Sequence, residues 1–423
     1  MRIRLWPFLL IAFLAACSDF LSPVDSTPEP SEYEFNYWLL QRTYLYEEEL
    51  PCLPETGDSV QALYAALSDR YTRYVEPSKS EAATESRNTS IITGDIGIEY
   101  LENQDAEHPL FVYRVYPESP AARAGVPRYG NIISINGTEL TGSGAYSTYR
   151  VVFSQSADID LEIAYDGETK TYSMHRESIY APTIFVDTLQ GTEVISIREF
   201  KPNTIDRKKG TYGELRNHLD STKSDTSVRI LDLRGNPGGH VDQCIPMADL
   251  FVSSGTLSTR SWYTFDGDGS RIHREASTKA KPGDPGEAGK FVILANSGSA
   301  SCAEIFIAAV RELTDIPVAG TTTYGKGIGQ SSWNTIAGGL ATITTLEFKT
   351  PKGNSYHKKG IVPDYTCTDG INIACAKEVI EKHFHKPLKK ESRNSHAQDP
   401  AILRISTPDT TYSGGAWTTN LLF

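Results

Sequence analysis

The segment Asn296-Ser297-Gly298-Ser299-Ala300-Ser301-Cys302-Ala303-Glu304-Ile305-Phe306 follows an apolar run, 291–295, and opens a helix-like stretch, 303–313. A strand that leads through a serine-rich turn into a helix exposes a serine beside the amide groups of the helix N-terminus. Such a position suits a nucleophile whose reaction produces an oxyanion. Standing alone, however, a turn of this kind would more simply supply an N-cap, Ser299 or Ser301, to the helix.

Two other segments make this turn part of a larger pattern. The segment Tyr324-Gly325-Lys326-Gly327-Ile328-Gly329-Gln330 places a lysine among glycines, and the segment 230–239 is an apolar strand that runs into the turn Pro237-Gly238-Gly239. A serine hydroxyl needs an adjacent base to act as a nucleophile at neutral pH. Lysine can be that base when desolvation lowers its pKa from about 10.4. The three segments therefore predict acyl transfer by a serine and a lysine.

Taken together, these segments resemble the S41 family of C-terminal processing serine peptidases, and the resemblance covers about residues 33 to 385. It implies that Ser301 is the nucleophile, Lys326 the general base and Gln330 the residue that orients the lysine. Four extended residues span about 13 Å, so Gln330 can reach the lysine only if Gly327 and Gly329 bend or bulge the strand. The sequence departs from the family pattern at Cys302-Ala303, where Ala-Ser is usual, and this change spares all three positions.

The tetrahedral intermediate of acyl transfer also needs donors for its oxygen. The backbone amide of Cys302, directly after the nucleophile, is one expected donor. The second is expected from Gly238 or Gly239, where no Cβ blocks the approach of the substrate.

A Ser-His-Asp arrangement is the alternative mechanism. His240 follows the glycine turn, and Asp232 or Asp242 could orient it. Metal catalysis is not indicated, because the sequence has no His-x-x-x-His, Cys-x-x-Cys or clustered acidic motif. Neither a metal nor a cofactor is expected.

The N-terminus is typical of a targeting segment. Arg2 and Arg4 precede an apolar run, 5–16, which is too short to span a bilayer and is typical of a signal peptide. Leu14-Ala15-Ala16-Cys17 resembles a bacterial lipobox, which implies cleavage before Cys17 and lipidation of its thiol. Resemblance to the lipoprotein sorting rules of diderm bacteria implies that Ser18, after the lipidated cysteine, favours the outer membrane over retention in the inner membrane. The alternative is an ordinary signal peptide with an incidental cysteine.

Length and charge limit the remaining possibilities. The 423 residues allow two or three domains, and the formal net charge of −12 with no long basic run argues against a nucleic-acid partner. Helical periodicity and strand alternation predict an α/β multidomain chain. Its expected parts are a signal peptide 1–16, a lipid-anchored linker 17–32, an N-terminal helical region 33–85, a β-rich domain 86–178, an α/β peptidase core with a central sheet 179–386 and a polar tail 387–423.

The β-rich domain resembles a PDZ domain in the segments 119–126 and 130–137, which match its short helix and its Ile-Asn-Gly hairpin. PDZ domains capture an extended C-terminus by strand addition and hold its carboxylate with backbone amides. The resemblance assigns those amides to Ile96, Gly97 and Ile98. Asp95 stands where family members usually have glycine, and its charge would repel a bound carboxylate.

Five cysteines follow Cys17, and an odd number leaves at least one unpaired if the others pair within the chain. Cys367 and Cys375 could close a small loop. Cys302 most simply replaces alanine as a small buried residue, and a redox brake formed with Cys244 is the alternative.

The sequence therefore predicts a serine endopeptidase that is lipid-anchored in the bacterial cell envelope and cleaves polypeptides near C-terminal tails engaged by the PDZ-like domain. Two other functions are possible: an adaptor lipoprotein without catalytic activity, and an acyl hydrolase that acts on small esters rather than on proteins. The intact set of Ser301, Lys326 and Gln330 argues against the adaptor.

Overall fold

The computed structural model describes residues 30–51, 59–103, 106–189, 191–367 and 374–384. The helices are α1 (Glu32–Thr43), α2 (Val60–Ala65), α3 (Pro77–Asn88), α4 (Pro120–Ala124), α5 (Ala145–Gln155), α6 (Gly210–Ser221), α7 (Val241–Asp249), α8 (Cys302–Leu313) and α9 (Ala374–Phe384). Short 3₁₀ turns cover Glu47–Glu49 and Gly142–Gly144.

The strands of the described chain belong to four sheets. They are β1 (Arg73–Val75), β2 (Ile91–Asp95), β3 (Ile98–Glu102), β4 (Leu110–Val115), β5 (Asn131–Ile135), β6 (Thr138–Glu139), β7 (Asp158–Tyr165), β8 (Glu168–His175), β9 (Glu177–Tyr180), β10 (Ile184–Leu189), β11 (Thr192–Ile197), β12 (Val228–Asp232), β13 (Thr256–Phe265), β14 (Arg271–Lys279), β15 (Lys290–Ala295), β16 (Val318–Gly320), β17 (Ile328–Asn334), β18 (Leu340–Lys349) and β19 (Tyr365–Thr366).

The described residues group into two compact units, and the smaller one is built from three separate stretches: 30–81, 260–275 and 328–347. Tyr37, Leu40 and Tyr44 are buried, as the helical periodicity predicts. The same core takes in Ala341 and Ile343 of β18. The expected helical region 33–85 is therefore incomplete by itself, because its apolar face closes on a strand far along the chain.

The second unit contains the described residues of 82–259, 276–327 and 348–384. Its central sheet has the order β10-β11-β12-β15-β16-β19, and every pair from β11 onward is parallel. β12 is buried along its whole length, as expected of a strand with helices on both faces. Val228 and Ile230 pack with α9 on one face, and Phe291 of β15 meets Phe251, after α7, on the other.

A second sheet of this unit lies within the segment 86–178 and has the order β3-β4-β5-β7-β8, with β6 paired to β5. The expected short helix is α4, and the expected hairpin joins β5 to β6 through Asn136 and Gly137, which both have positive φ. Arg114 of β4 is buried and forms a 2.5 Å ion pair with Asp187 of β10. This pair ties the segment to the central sheet.

Candidate active site

Three neighbouring parallel strands carry the three sequence segments on which the site is predicted. β12 pairs with β15, and β15 pairs with β16. Because the carboxyl ends of parallel strands lie at one edge of a sheet, the turns that follow these strands meet there. The turns are the glycine turn 235–240 after β12, the nucleophile turn 296–301 after β15 and the lysine loop 321–327 after β16.

Ser301 is the N-cap residue of α8 and is only partly buried. Its backbone has φ 55° and ψ −115°, a conformation that non-glycine residues rarely adopt. Such a conformation costs free energy and persists only where the surrounding structure imposes it. Ser299, the other serine of the turn, is fully buried. Its hydroxyl donates to the carbonyl of Leu233 at 2.8 Å and accepts from the amide of Asn296 at 3.0 Å. Ser299 therefore holds the turn, and Ser301 is the accessible hydroxyl.

A buried carboxylate, that of Glu304 in the first turn of α8, lies behind the nucleophile. Its side chain has no solvent exposure. Oε2 accepts the backbone amides of Ser301 at 2.9 Å and of Lys326 at 2.7 Å. Oε1 accepts the amide of Gly325 at 2.7 Å and the hydroxyl of Thr323 at 2.5 Å. Four donors compensate the burial of this charge.

Glu304 thereby joins the nucleophile turn to the lysine loop. Two bonds that meet at one oxygen place the nitrogens of Ser301 and Lys326 no more than 5.6 Å apart. Glu304 stands within the sequence segment of the nucleophile, but no role was predicted for it. A glutamate three residues after an N-cap serine is the signature of a capping box, and that signal could have identified it.

The glycine turn approaches the nucleophile closely. A Cβ on Gly238 would lie 2.8 Å from the carbonyl oxygen of Ala300 and 2.9 Å from the nitrogen of Cys302, so only glycine fits. The Gly238 amide already donates to Oδ1 of Asn236 at 2.8 Å. The amides of Gly239 and Cys302, in contrast, donate to no other described residue. Of the expected oxyanion-hole donors, the geometry favours Gly239 and Cys302 over Gly238.

His240, the base of the alternative triad, lies near Asp242, one of its two expected orienting residues, but its other ring nitrogen faces a backbone carbonyl. Its Nε2 lies 3.2 Å from the carbonyl oxygen of Arg87, and its Nδ1 lies 3.8 Å from Asp242. Asp232 is buried and bound to the side chain of Arg234. Burial, more than any nearby charge, lowers the pKa of His240. These contacts do not form a Ser-His-Asp relay.

Gln330 lies on β17, and its side-chain amide donates to Oγ1 of Thr344 on β18 at 3.0 Å. The register between the two strands shifts between Gly329 and Gln330, which is the bulge that the glycines predict. Its role in orienting Lys326 stays a prediction.

Two disulfides are present among the described residues. One joins Cys367 to Cys375, the small loop that the sequence allows. The other joins Cys244 of α7 to Cys302, the residue after the nucleophile, with their Cα atoms 5.7 Å apart. Reading Cys302 as a simple substitute for alanine was therefore wrong, because α7 and α8 pack closely enough to bring the two side chains together.

The loop assigned to carboxylate binding holds a carboxylate of its own. Oδ1 of Asp95 accepts the amide of Gly97 at 2.7 Å, and its carboxylate also accepts from Ile96. Asp95 therefore points toward the loop amides, and two of the three expected tail-binding amides are occupied. β3, which begins at Ile98, is an edge strand of its sheet. An edge strand is the kind of strand to which an extended peptide can add.

The expected lipidation site, Cys17, lies outside the described residues. Among the helices of the described ranges, not one combines the length and the apolar character needed to cross a bilayer.

The part of the chain that carries these turns is similar to a known protein family. The model of Peptidase family S41 matches residues 192–367, the stretch that contains all three turns. Residues 192–367 are an S41 domain. The fold agrees: a structure of a candidate S41 protease from Bacteroides fragilis NCTC 9343 superposes with a TM-score of 0.51 at 14% identity, covering 86% of this chain and 94% of that one.

Relatives that match a longer part of the chain include proteins of staphylococci. A probable CtpA-like serine protease of Staphylococcus haemolyticus (strain JCSC1435) is 26% identical over 80% of this chain and 65% of the relative. Its counterpart in Staphylococcus aureus (strain COL) is 27% identical over 78% of this chain and 63% of the relative. The chain thus spans slightly less than two thirds of the length of these relatives.

Proposed function

We propose that the chain is a serine endopeptidase that cleaves exported polypeptides near their C-termini through a Ser-Lys acyl-enzyme mechanism. The observation that carries the proposal is the shared acceptor Glu304 Oε2, which holds the backbones of Ser301 and Lys326 side by side. The S41 domain and the relatives named as CtpA-like serine proteases support the same chemistry.

In this mechanism the neutral amine of Lys326 takes the proton of the Ser301 hydroxyl as its oxygen attacks the scissile carbonyl. The amides of Gly239 and Cys302 stabilise the oxyanion. The lysine then gives the proton to the leaving amine, and an ester of Ser301 remains. Water, deprotonated by the same lysine, hydrolyses that ester and regenerates the serine. Gln330 is assigned to orient the amine of Lys326.

The test is digestion of a denatured model protein, with mass spectrometry of the products. Wild type should release fragments from the C-terminal part, and Ser301→Ala should abolish turnover while leaving the fold intact, since it removes one hydroxyl. Residual cleavage within tenfold of wild type would exclude Ser301 as the nucleophile. Iodoacetamide treatment is the companion control, because a disulfide-bonded Cys302 offers no thiol to alkylate.

The same digestion separates the competing functions. An adaptor would bind the denatured protein through the segment 86–178 without cutting it. An acyl hydrolase would hydrolyse small esters and leave the protein intact. The four hydrogen bonds on a fully buried Glu304 favour the peptidase over the adaptor, because an adaptor has no chemical need to hold a serine and a lysine loop together.

For substrate recognition, we propose that peptide tails add to the free edge of β3 and place their carboxylates toward the loop 95–98. Asp95 occupies two of the loop amides in the free protein, so a tail must displace it or bind beside it. Capture of the carboxylate is therefore weak in this chain, and most of the binding energy comes from strand addition.

For localisation, we propose a lipid anchor at Cys17 in the bacterial outer membrane. The support is the signal-peptide pattern and the lipobox-like segment 14–17. Metabolic labelling with an alkyne fatty acid should tag the wild-type chain and not Cys17→Ala. Fractionation of the envelope should place the wild type with the outer membrane, and labelling of the variant would overturn the assignment.

A further inference from the structure

The disulfide Cys244–Cys302 lies between the two halves of the proposed oxyanion hole. Cys302 begins α8 and supplies one of the two donor amides. Cys244 lies in the first turn of α7, where its amide donates to the carbonyl of His240 at 3.2 Å. His240 directly follows Gly239, which supplies the other donor. One covalent bond thus spans from the residue after the nucleophile to the helix that begins at the glycine turn.

We propose that this disulfide is a positioning element of the reaction, which fixes the amide of Cys302 relative to the amide of Gly239. The inference rests on the proposed peptidase function. It assigns no catalytic step to either sulfur, because the bond acts on the donors through the backbone.

The backbone of the nucleophile turn needs such a restraint. Ser301 has a positive φ, and a strained residue holds its conformation only when its neighbours impose it. On its N-terminal side the restraint is the hydrogen bond from its amide to Glu304. On its C-terminal side the next residue is held through its side chain by α7. Without that bond, α8 could slide along α7 and relax the turn.

The partner helix is weak where the bond attaches. Pro246 lies inside α7, two residues after Cys244, and a proline there removes one main-chain hydrogen bond from the first turns of the helix. The glycine turn therefore leads into a helix that lacks one of its own hydrogen bonds. The cross-link to α8 supplies the missing rigidity.

The position of the disulfide protects it from reduction. Both cysteines are fully buried, and Sγ of Cys302 lies 3.1 Å from the carbonyl oxygen of His240 inside the contact between the helices. Buried disulfides resist exchange with soluble thiols, because the attacking thiolate cannot reach either sulfur. A bond of this kind suits an oxidising compartment.

The test compares three proteins: wild type, Cys244→Ala/Cys302→Ala, and the matched control Cys367→Ala/Cys375→Ala, which loses the other disulfide. A peptide map of wild type without reduction must first contain the Cys244–Cys302 cross-link, and its absence overturns the proposal. Kinetics are measured on one fluorogenic peptide, at a temperature well below the melting point of each variant. We expect kcat of the Cys244→Ala/Cys302→Ala protein to fall at least fivefold with KM within twofold. The control should keep wild-type kcat.

A second readout separates positioning from mere stabilisation. A peptide aldehyde forms an adduct with the serine that carries an oxyanion, so its affinity reports the oxyanion hole. It should bind the Cys244→Ala/Cys302→Ala protein at least fivefold more weakly, while the cleaved product peptide binds equally. A smaller change in kcat and in aldehyde affinity overturns the proposal, as does a change in KM alone. If the double variant does not fold, Cys244→Ala and Cys302→Ala alone carry the same expectations.

Failure of the underlying function gives a different result. Wild type would then leave unfolded protein uncut, whatever the state of its cysteines. An active wild type with an unaffected cysteine variant rejects only the positioning role.

Discussion

The backbone amides of Ser301 and Lys326 donate to the same oxygen atom, Oε2 of the buried Glu304. The proposed nucleophile and the proposed base are 25 residues apart in sequence. A single carboxylate therefore sets the distance between the two chain segments from which their side chains extend. The geometry of the pair is built into the backbone rather than left to two flexible side chains.

Replacing that carboxylate should uncouple the pair. Glu304→Gln keeps the shape but presents an NH₂ group to two of the four donors, which leaves buried amides without acceptors. We expect kcat/KM to fall at least about 100-fold and the free energy of unfolding to fall by about 2–4 kcal/mol. Urea unfolding and peptide kinetics measure the two effects. Glu304→Asp, which keeps the charge on a shorter side chain, should lose less of both. Wild-type kinetics in the glutamine variant would contradict a positioning role.

Lys326→Ala should be as inactive as Ser301→Ala, and Lys326→Arg should not restore activity. Arginine keeps the charge but cannot deprotonate near neutral pH, whereas the mechanism needs a neutral amine. Wild-type kcat/KM should therefore rise with pH along a limb above the histidine range. His240→Ala is the matched control and should retain that limb. A limb centred near about 6.5 that disappears in His240→Ala would replace the lysine by histidine as the base.

Asp95 should set the affinity for peptide tails. Burial raises the pKa of Asp95 despite its hydrogen bonds from Gly97 and Ile96. Its charge is therefore lost at a higher pH than is usual for aspartate, and repulsion of a tail carboxylate weakens as the pH falls from 7 toward that range. Tail affinity of the wild type should rise over this interval.

Two variants check this account by calorimetry with free and amidated peptides. Asp95→Asn keeps an acceptor for Gly97 without the charge, and its affinity for free tails should exceed that of wild type at pH 7 and vary little with pH. Asp95→Gly should bind free tails more tightly still, because it also releases the amides. Equal affinity of free and amidated tails for all three proteins would mean that the carboxylate lies elsewhere.

The ion pair between Arg114 and Asp187 should contribute strongly to stability. Burial alone would raise the pKa of Asp187, but Arg114 and Arg128 outweigh it and lower that pKa. Asp187→Asn should reduce the free energy of unfolding by about 3 kcal/mol at pH 7, because it leaves a buried guanidinium partly unpaired.

The pH dependence of that difference has a definite sign. A carboxyl whose pKa is lowered by folding stabilises the protein above its ordinary pKa of about 3.9, and the effect is lost as the pH falls through the lowered value. Urea unfolding should therefore show the full difference at pH 7 and a smaller one below pH 4. Glu177→Gln, in the exposed pair with Arg123, is the control and should change stability by less than about 0.5 kcal/mol.

The central sheet could be predicted from sequence because its strands are short apolar runs. The segments 228–233 and 291–295 coincide with β12 and β15 to within one residue, and the amphipathic stretch 303–313 is α8. Once these strands are predicted, the residues at their carboxyl ends are located as well. That is why Ser301, Lys326 and the glycine turn were found together.

Other features depend on contacts that no local pattern records. The donors to Glu304 come from three positions in the lysine loop and one in the nucleophile turn, and only the strand order β12-β15-β16 brings them together. The Cys244–Cys302 bond depends in the same way on the packing of α7 against α8.

The pairing of β17 with β18 is hard to predict from the sequence for a chemical reason. β17 is polar: Ser331 and Ser332 bond to the threonine side chains of Thr345 and Thr342 across the hairpin. Because apolar and polar residues do not alternate along it, a strand of this kind cannot be recognised from the periodicity of the sequence.

The core of the smaller unit can be completed only late in the synthesis of the chain. The helices α1 and α2 are synthesised early, yet Ala341 and Ile343, which complete their core, follow more than 270 residues later. Contacts between such distant segments form slowly, and until then the aromatic face of α1 stays uncovered. A nascent or truncated chain that ends before β18 would thus expose the aromatic face of α1, and the unit can close only after residue 347 has been synthesised.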